Sequence, residues 1–399
     1  MKKEFLIEGS SVPIWSWSSE ESVDMSDYCW QEAFNCSKLP GIFHHITLTP
    51  DFHAGRGIPI GAVIATKDLV IPAAIGNDVG CGICAMKTSL KVGDITTEQL
   101  RKGIMRGIRR RIPIGKDIHK TRQPEEFMPA QKLLDRTIVA KRRYLSALKM
   151  IGTLGGGNHF LELDKDESGY LWVLIHSGSR GLGADVFEYY NEEAIKCCKS
   201  YSTPYSVVED QLPFLPLNSL LGEFYWADMK YCVEFGRCNR KLMLERIKEA
   251  ILDVFPDATF EEPIDTVHNY AAMEEHYGER VCVHRKGAVK MNLGDIGIIP
   301  GSQGTSSFIV RGLGNEESFK SSSHGSGRKL SRTAAINTLD LEKEIERLDS
   351  LGIVHSVRCK SDLEESTGAY KDIDEVMELQ KDLVDPVMRL RPIAVIKGS

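Results

Sequence analysis

GIFHHITLTPDFHAGRGIPIGAVIATKDLVIPAAIGNDVGCGICAMKTSL, residues 41–90, sets apolar runs of strand length between glycines and prolines. GIFHHITLTP, IPIGAVIAT, LVIPAAIG and ICAMKTSL each read as a short β-strand. The pattern returns in IGTLGGGNHFLEL and LWVLIHSGSRGLG, and over 280–314 in RVCVHRKGAV, DIGIIPGSQG and SSFIVRGLG. Helical stretches lie between. TTEQLRKGIMRGIRRRI, from Thr96, predicts a helix with Thr96 and Gln99 at capping-box spacing. Residues 125–150, 184–254 (interrupted around TPYS and LPFLPLN), 332–350 and 372–389 also read as helical. Strands and helices mix without alternation, repeat or linker. The expectation is one large α+β domain over 1–399, β-sheets flanked by helices.

The 399 residues carry a net charge of −6, so any polyanion site has to be a local cluster of Arg and Lys. One such run is 101–122, with nine basic residues and one acidic. It could hold a nucleic-acid backbone or be a solvated helix face. The N-terminus lacks a secretory apolar core, and Lys67 and Asp68 interrupt the longest apolar stretch, which argues against a membrane span. Ten cysteines without framework spacing read as reduced thiols of a soluble cytoplasmic enzyme.

Six glycine-rich loops hold the reactive side chains: PDFHAGRG (50–57), GNDVGCGIC (76–84), GGGNHFLE (155–162), HSGSRGLG (176–183), VHNY (267–270) and SSSHGSGR (321–328). Glycine there lets backbone approach a ligand closely. Asp78 and Cys81 can converge on one metal or two adjacent ones, since a thiolate can bridge cations. With His159, His176 and His268 they make an O/S/N set large enough for two divalent ions, without naming the metal. Arg180, Lys286, Arg328 and Arg332 suggest phosphate as the ligand. A helix starting just after His324 would set Arg328 and Arg332 over the same patch as that histidine. The phosphate loop, the dinucleotide fingerprint and the K-x-D-G motif are absent, so any nucleotide is handled another way.

The motifs PDFHAGRG, GNDVGCG, GTLGGGNHFLE, HSGSRGLG, RKGAV, IIPGSQGTSSFIVRGLGNEES, SHGSGR and AYKDID run in order from about residue 40 to the C-terminus. Together they resemble the RtcB family of GTP-dependent RNA ligases. The resemblance implies the RtcB-like fold and a histidine nucleophile, at His324, that takes GMP from GTP. It implies transfer of GMP to an RNA 3′-phosphate and sealing by a 5′-hydroxyl, after hydrolysis of any 2′,3′-cyclic phosphate, in RNA repair or tRNA splicing. It implies two Mn²⁺ ions on Asp78, Cys81, His159, His176 and His268, with Cys81 bridging. Asn158, Glu162, Ser302, Ser307, Tyr370 and Lys397 would hold the nucleotide, Glu162 and Lys397 near the guanine. Asp51 is a further match. Arg180, Lys286, Arg328 and Arg332 would meet RNA phosphate or the transferring phosphoryl group. Asn77, Ser326 and Gln303 depart from the usual motifs and point to a divergent paralogue. Use of an archease-like activator stays open. The alternative reading is a binuclear cyclic phosphodiesterase without ligation.

Overall fold

A computed structural model describes residues 2–18, 27–39, 41–200 and 212–398. Two sheets carry the architecture. The first runs, in spatial order, Lys3–Phe5, Ile14–Ser16, Ile42–Arg56, Ile58–Thr66, Glu279–Lys286 and Asn269–His276. The second runs Ile264–Val267, Gly82–Lys91, Tyr170–Ser177, Phe160–Lys165, Val384–Lys397, Ser307–Gly312 and Ile296–Ile299. Pairing is antiparallel throughout both sheets except between Ile14–Ser16 and Ile42–Arg56.

The helix Leu220–Leu252 braces the assembly. At 33 residues it is about 50 Å long. One stretch buries Tyr231, Cys232 and Phe235 against the helices Val139–Met150 and Gly181–Ser200. A later stretch buries Met243, Leu244 and Ile247 against Leu161, Leu163 and Val173 on the back of the second sheet. Fully burying each such side chain contributes about 2 kcal/mol.

Several sequence expectations need correction. Residues 372–389 are not one helix: Ile373–Leu379 is helical and Val384–Lys397 is a long strand. Pro386 and Pro392 concealed it; they sit beside register irregularities, where a missing N–H is tolerated. The stretch 332–350 is two helices, Arg332–Thr338 and Leu341–Ser350, the second capped by Asp340. Within 125–150 only Val139–Met150 is α-helical, its first amides accepted by the Asp228 carboxylate. PDFHAGRG is mostly the irregular end of a strand rather than a loop. The break at TPYS lies outside the described residues; at LPFLPLN the chain makes the short strand Leu215–Pro216. The Thr96 capping box is present, with Gln99 N donating to Thr96 Oγ1 and Thr96 N to Gln99 Oε1.

Candidate active site

The site forms where the two sheets meet. His268 lies at the crossing: Ile264–Val267 pairs in the second sheet, and Asn269–His276 pairs in the first. His176 is the last residue but one of the strand Tyr170–Ser177, beside Ile83 and Phe160 on its neighbours. His159 precedes the strand Phe160–Lys165. Asp78 and Cys81 share one turn, closed by Cys81 N donating to Asp78 O at 3.1 Å. Gly80 between them has φ +79°, and a Cβ there would stand 2.5 Å from the Cys232 carbonyl, so only glycine fits.

These five side chains converge. His159 Nε2 is 2.9 Å from Asp78 Oδ2 and 3.4 Å from Cys81 Sγ. His176 Nε2 is 3.2 Å from Cys81 Sγ and 3.4 Å from His268 Nε2. Two ligand triads result, Asp78–Cys81–His159 and Cys81–His176–His268, and the sulfur belongs to both. Burial pushes the Cys81 thiol well above its usual range and the His176 and His268 imidazoles well below theirs. A cluster of lone pairs around one sulfur is what divalent cations satisfy.

The ring of His324 lies 4.9 Å from that of His268, centroid to centroid. Its position does not come from a helix. Ser321–Ser323 is a strand paired with Ala288–Lys290, residues 325–331 are irregular, and the next helix begins at Arg332. The reason is Asp51. Its buried carboxylate accepts from the amides of His324 and Gly325 at 3.1 and 3.2 Å, and lies 2.7 Å from His324 Nδ1. Gly327, at φ +70°, passes so close that a Cβ would stand 2.0 Å from the Asp51 carbonyl. Burial alone would raise the Asp51 carboxyl, but the His324 imidazole beside it holds it below the usual range.

A cavity of about 730 Å³ opens over His324, with Asn158, Arg328, Arg332, Tyr370 and Lys397 also in its walls. Four of these meet at Glu365, a buried carboxylate that the sequence did not single out. Arg328 Nη1 is 3.1 Å from it, Arg332 Nε 3.6 Å and Lys397 Nζ 3.8 Å, and the Tyr370 hydroxyl donates to it. Other expected residues sit beneath or apart. Ser302 and Ser307 are buried in the turn 301–307, Ser302 against Thr305 Oγ1 and Ser307 against the Gly301 amide. Glu162 lies in the interior with Asp164 at its side; burial first, then the Asp164 carboxylate, raises Glu162 well above the carboxylate range, and burial lifts Asp164 to about 7. Arg180, at φ +58°, donates to Thr153 Oγ1 and the Gly115 carbonyl, and would touch any side chain at Gly155. Lys286 stands apart: its buried Nζ donates to the carbonyls of Arg56 and Ile58, and burial lowers it to about 8.

Two further residues tie the loops together, Asn239 and Arg240 on the long helix. Asn239 accepts from the amides of Gly152 and Thr153 and donates to Thr153 O, Ser177 Oγ and Gly178 O. Arg240 donates to the carbonyls of Gly80 and Ser177 and pairs with Asp265 at 2.5 Å. Their signal was two polar residues among the buried positions of that helix.

Residues 32–398 match the family described as tRNA-splicing ligase RtcB. The chain is 36% identical to the RNA-splicing ligase RtcB of Escherichia coli strain K12, over 98% of this chain and 99% of the relative. It is 31% identical to the tRNA-splicing ligase RtcB of Pyrobaculum aerophilum, over 94% and 92%. With RNA-splicing ligase RtcB homolog 1 of Entamoeba dispar the identity is 30%, over 93% and 82%. Bacterial, archaeal and eukaryotic relatives thus align with nearly all of it.

Proposed function

The chain belongs to the RtcB family of RNA-splicing ligases, enzymes that form a phosphodiester bond, and from that premise we propose that His324 is its nucleophile toward GTP. The observation that carries this is the contact of His324 Nδ1 with buried Asp51 at 2.7 Å. A carboxylate at Nδ1 keeps the proton there and leaves the Nε2 lone pair free to attack. Nε2 forms a bond to the α-phosphorus, the bond from that phosphorus to the bridging oxygen breaks, and pyrophosphate leaves. The histidine–GMP then passes GMP to an RNA 3′-phosphate. A 5′-hydroxyl attacks that activated phosphorus, GMP departs, and the strand is sealed. A 2′,3′-cyclic phosphate end is first hydrolysed to the 3′-phosphate.

Asp78, Cys81, His159, His176 and His268 fit two Mn²⁺ ions, because their donor atoms converge in two triads around one sulfur. Bound there, the ions supply positive charge to phosphate oxygens beside the nucleophile. Arg328 and Arg332 offer guanidinium groups to the phosphates, and Glu365 holds them in place. Arg180 reaches the same loops, whereas Lys286 acts through the chain segment it holds. Asn158, Tyr370 and Lys397 face the nucleotide from the cavity wall, with Glu162, Ser302 and Ser307 behind it.

We take residues 1–399 as one catalytic unit acting in the cytoplasm. All ten cysteines are free thiols, which suits a reducing compartment, and no described helix is long and apolar enough to cross a membrane. A cyclic phosphodiesterase would use the metal ligands but would have no need of an imidazole aimed by a buried carboxylate. Ligation of an RNA bearing 3′-phosphate and 5′-hydroxyl ends, dependent on GTP and Mn²⁺, tests the reading; hydrolysis of cyclic ends without joining would favour the phosphodiesterase.

A further inference from the structure

The basic run 101–122 has a structure that the active site does not use. Its first part, Gln99–Met105, is a π-helix that continues as the α-helix Arg106–Arg111. One side is packed against the long helix and the turn that follows it: a Cβ on Gly107 would stand 3.1 Å from Ala250, and one on Gly103 2.7 Å from Val254. That close approach turns the opposite side outward. Arg101, Arg106 and Arg109 share that outward side, since all three line the same cleft.

That face forms one wall of a second cleft, of about 770 Å³, lined by Arg101, Arg106 and Arg109 and, from across it, Arg358. None of the four has a carboxylate within ion-pair distance among the described residues. Their neighbours in the same run do: Lys102 pairs with Glu98, and Arg111 with Glu249 and Asp253. Arg109 is partly desolvated, and burial lowers its pKa; its Nη2 meets the Ser356 hydroxyl at 2.5 Å. Arg358 donates to the carbonyls of Val357 and His355. The one acid in the cleft wall, Asp349, is directed to His355 at 3.2 Å. Four guanidinium groups around one hollow, none of them in an ion pair among the described residues and Asp349 the one carboxylate in the wall, suit an anionic ligand with several charges.

The cleft adjoins the active site. Val395 lines it, and Lys397, two residues on along the same strand, lines the cavity over His324. Two residues of strand span about 7 Å. A narrow gap touched by Ser356, Val395, Glu365 and Lys397 joins the two walls.

We propose that this arginine cleft is a docking site for the phosphodiester backbone of an RNA arm next to the ends being joined. The proposal rests on the RNA-ligase reading above. A chain of phosphates suits four arginines that line one cleft beside the cavity over His324, and contacts to phosphate alone suit an enzyme that seals ends of varied sequence.

The test uses the full chain carrying Arg101→Gln, Arg106→Gln and Arg109→Gln, with a second variant of Arg→Lys at the same positions. Steady-state ligation is measured on a long-armed RNA and on one with shortened arms, over a salt series, alongside formation of the protein–GMP adduct, which needs no RNA. The Gln variant is expected to form the adduct as the parent does. Its KM for the long-armed RNA should rise roughly tenfold or more, and its salt slope should fall by about 2. The short-armed RNA should show little change, and the Lys variant should recover most of the loss. An unchanged KM and salt slope on long arms would overturn the proposal and assign the cleft to another anion, such as an acidic protein surface. Equal losses on both RNAs, or a lost adduct, would also overturn it, since the residues would then be serving the catalytic centre or the fold. If the parent protein does not join RNA at all, the ligase reading itself fails.

Discussion

His324 Nδ1 lies 2.7 Å from Asp51 Oδ2, and the same carboxylate oxygen accepts the amides of His324 and Gly325. One buried acid therefore holds the loop and stands beside the ring, and in the proposed mechanism it also selects the tautomer. Asp51→Asn keeps the shape but can present an amide N–H to Nδ1, which favours the tautomer with its proton on Nε2. The adduct-forming rate is expected to fall by roughly 10²- to 10⁴-fold, with nucleotide affinity little altered. Single-turnover guanylylation checks it; a rate within a factor of about two of the parent would remove Asp51 from the mechanism.

Cys81 is common to both ligand triads. Replacing it with alanine should weaken binding of both Mn²⁺ ions, by about a hundredfold or more for the tighter one. Alanine at His268 should affect only the triad with His176. Calorimetric titration with MnCl₂ separates the two, and one full-affinity ion surviving in Cys81→Ala would contradict the bridging sulfur.

Arg240 is buried and joins Asp265 to the carbonyls of Gly80 and Ser177. Arg240→Met leaves Asp265 only the longer contact to Arg237 Nε at 3.6 Å, and both loops lose their tether to the helix. A stability loss of about 3 kcal/mol is expected in denaturant unfolding, with weaker Mn²⁺ binding in the protein that remains folded. Full stability in that variant would mean that the loops hold themselves.

Glu162 and Asp164 share an interior site, and both carboxyls titrate above their usual range, Asp164 at about 7. A carboxyl whose folded pKa is raised stabilises the fold at low pH and loses that contribution as pH rises through the folded value. The melting temperature should therefore fall as pH rises from about 4, where an unfolded carboxyl titrates, to about 7 and level off above it, and Asp164→Asn should flatten the fall. A parent curve flat across that window would show that the pair carries no shared proton.

Much of this was readable in the chain. The glycine loops pointed to Asp78, Cys81, His159, His176 and His268, which the fold brings together, because a glycine there marks a close backbone approach, as at Gly80 against Cys232. The strands of 41–90 and 280–314 were legible from their apolar runs. The strand Val384–Lys397 was not, since its two prolines imitate a break, and their irregular register is a property of the partner strands. The irregular path after His324 was hidden for a related reason: the group that captures its amides, Asp51, is 273 residues away. Glu365 and the Asn239–Arg240 pair were missed because a polar residue's role in a core depends on which loops fold around it. A polar pair among apolar helix positions marks such a role, as for Asn239 and Arg240, without naming the loops it holds.

The most direct test is incubation of the pure protein with α-labelled GTP and MnCl₂, followed by denaturing electrophoresis and acid and base treatment of the labelled band. The account predicts label on the parent protein that survives base, is released by acid as a phosphoramidate would be, and is absent from His324→Ala. A parent that seals RNA yet never takes up label, or a His324→Ala variant labelled as strongly as the parent, would contradict it.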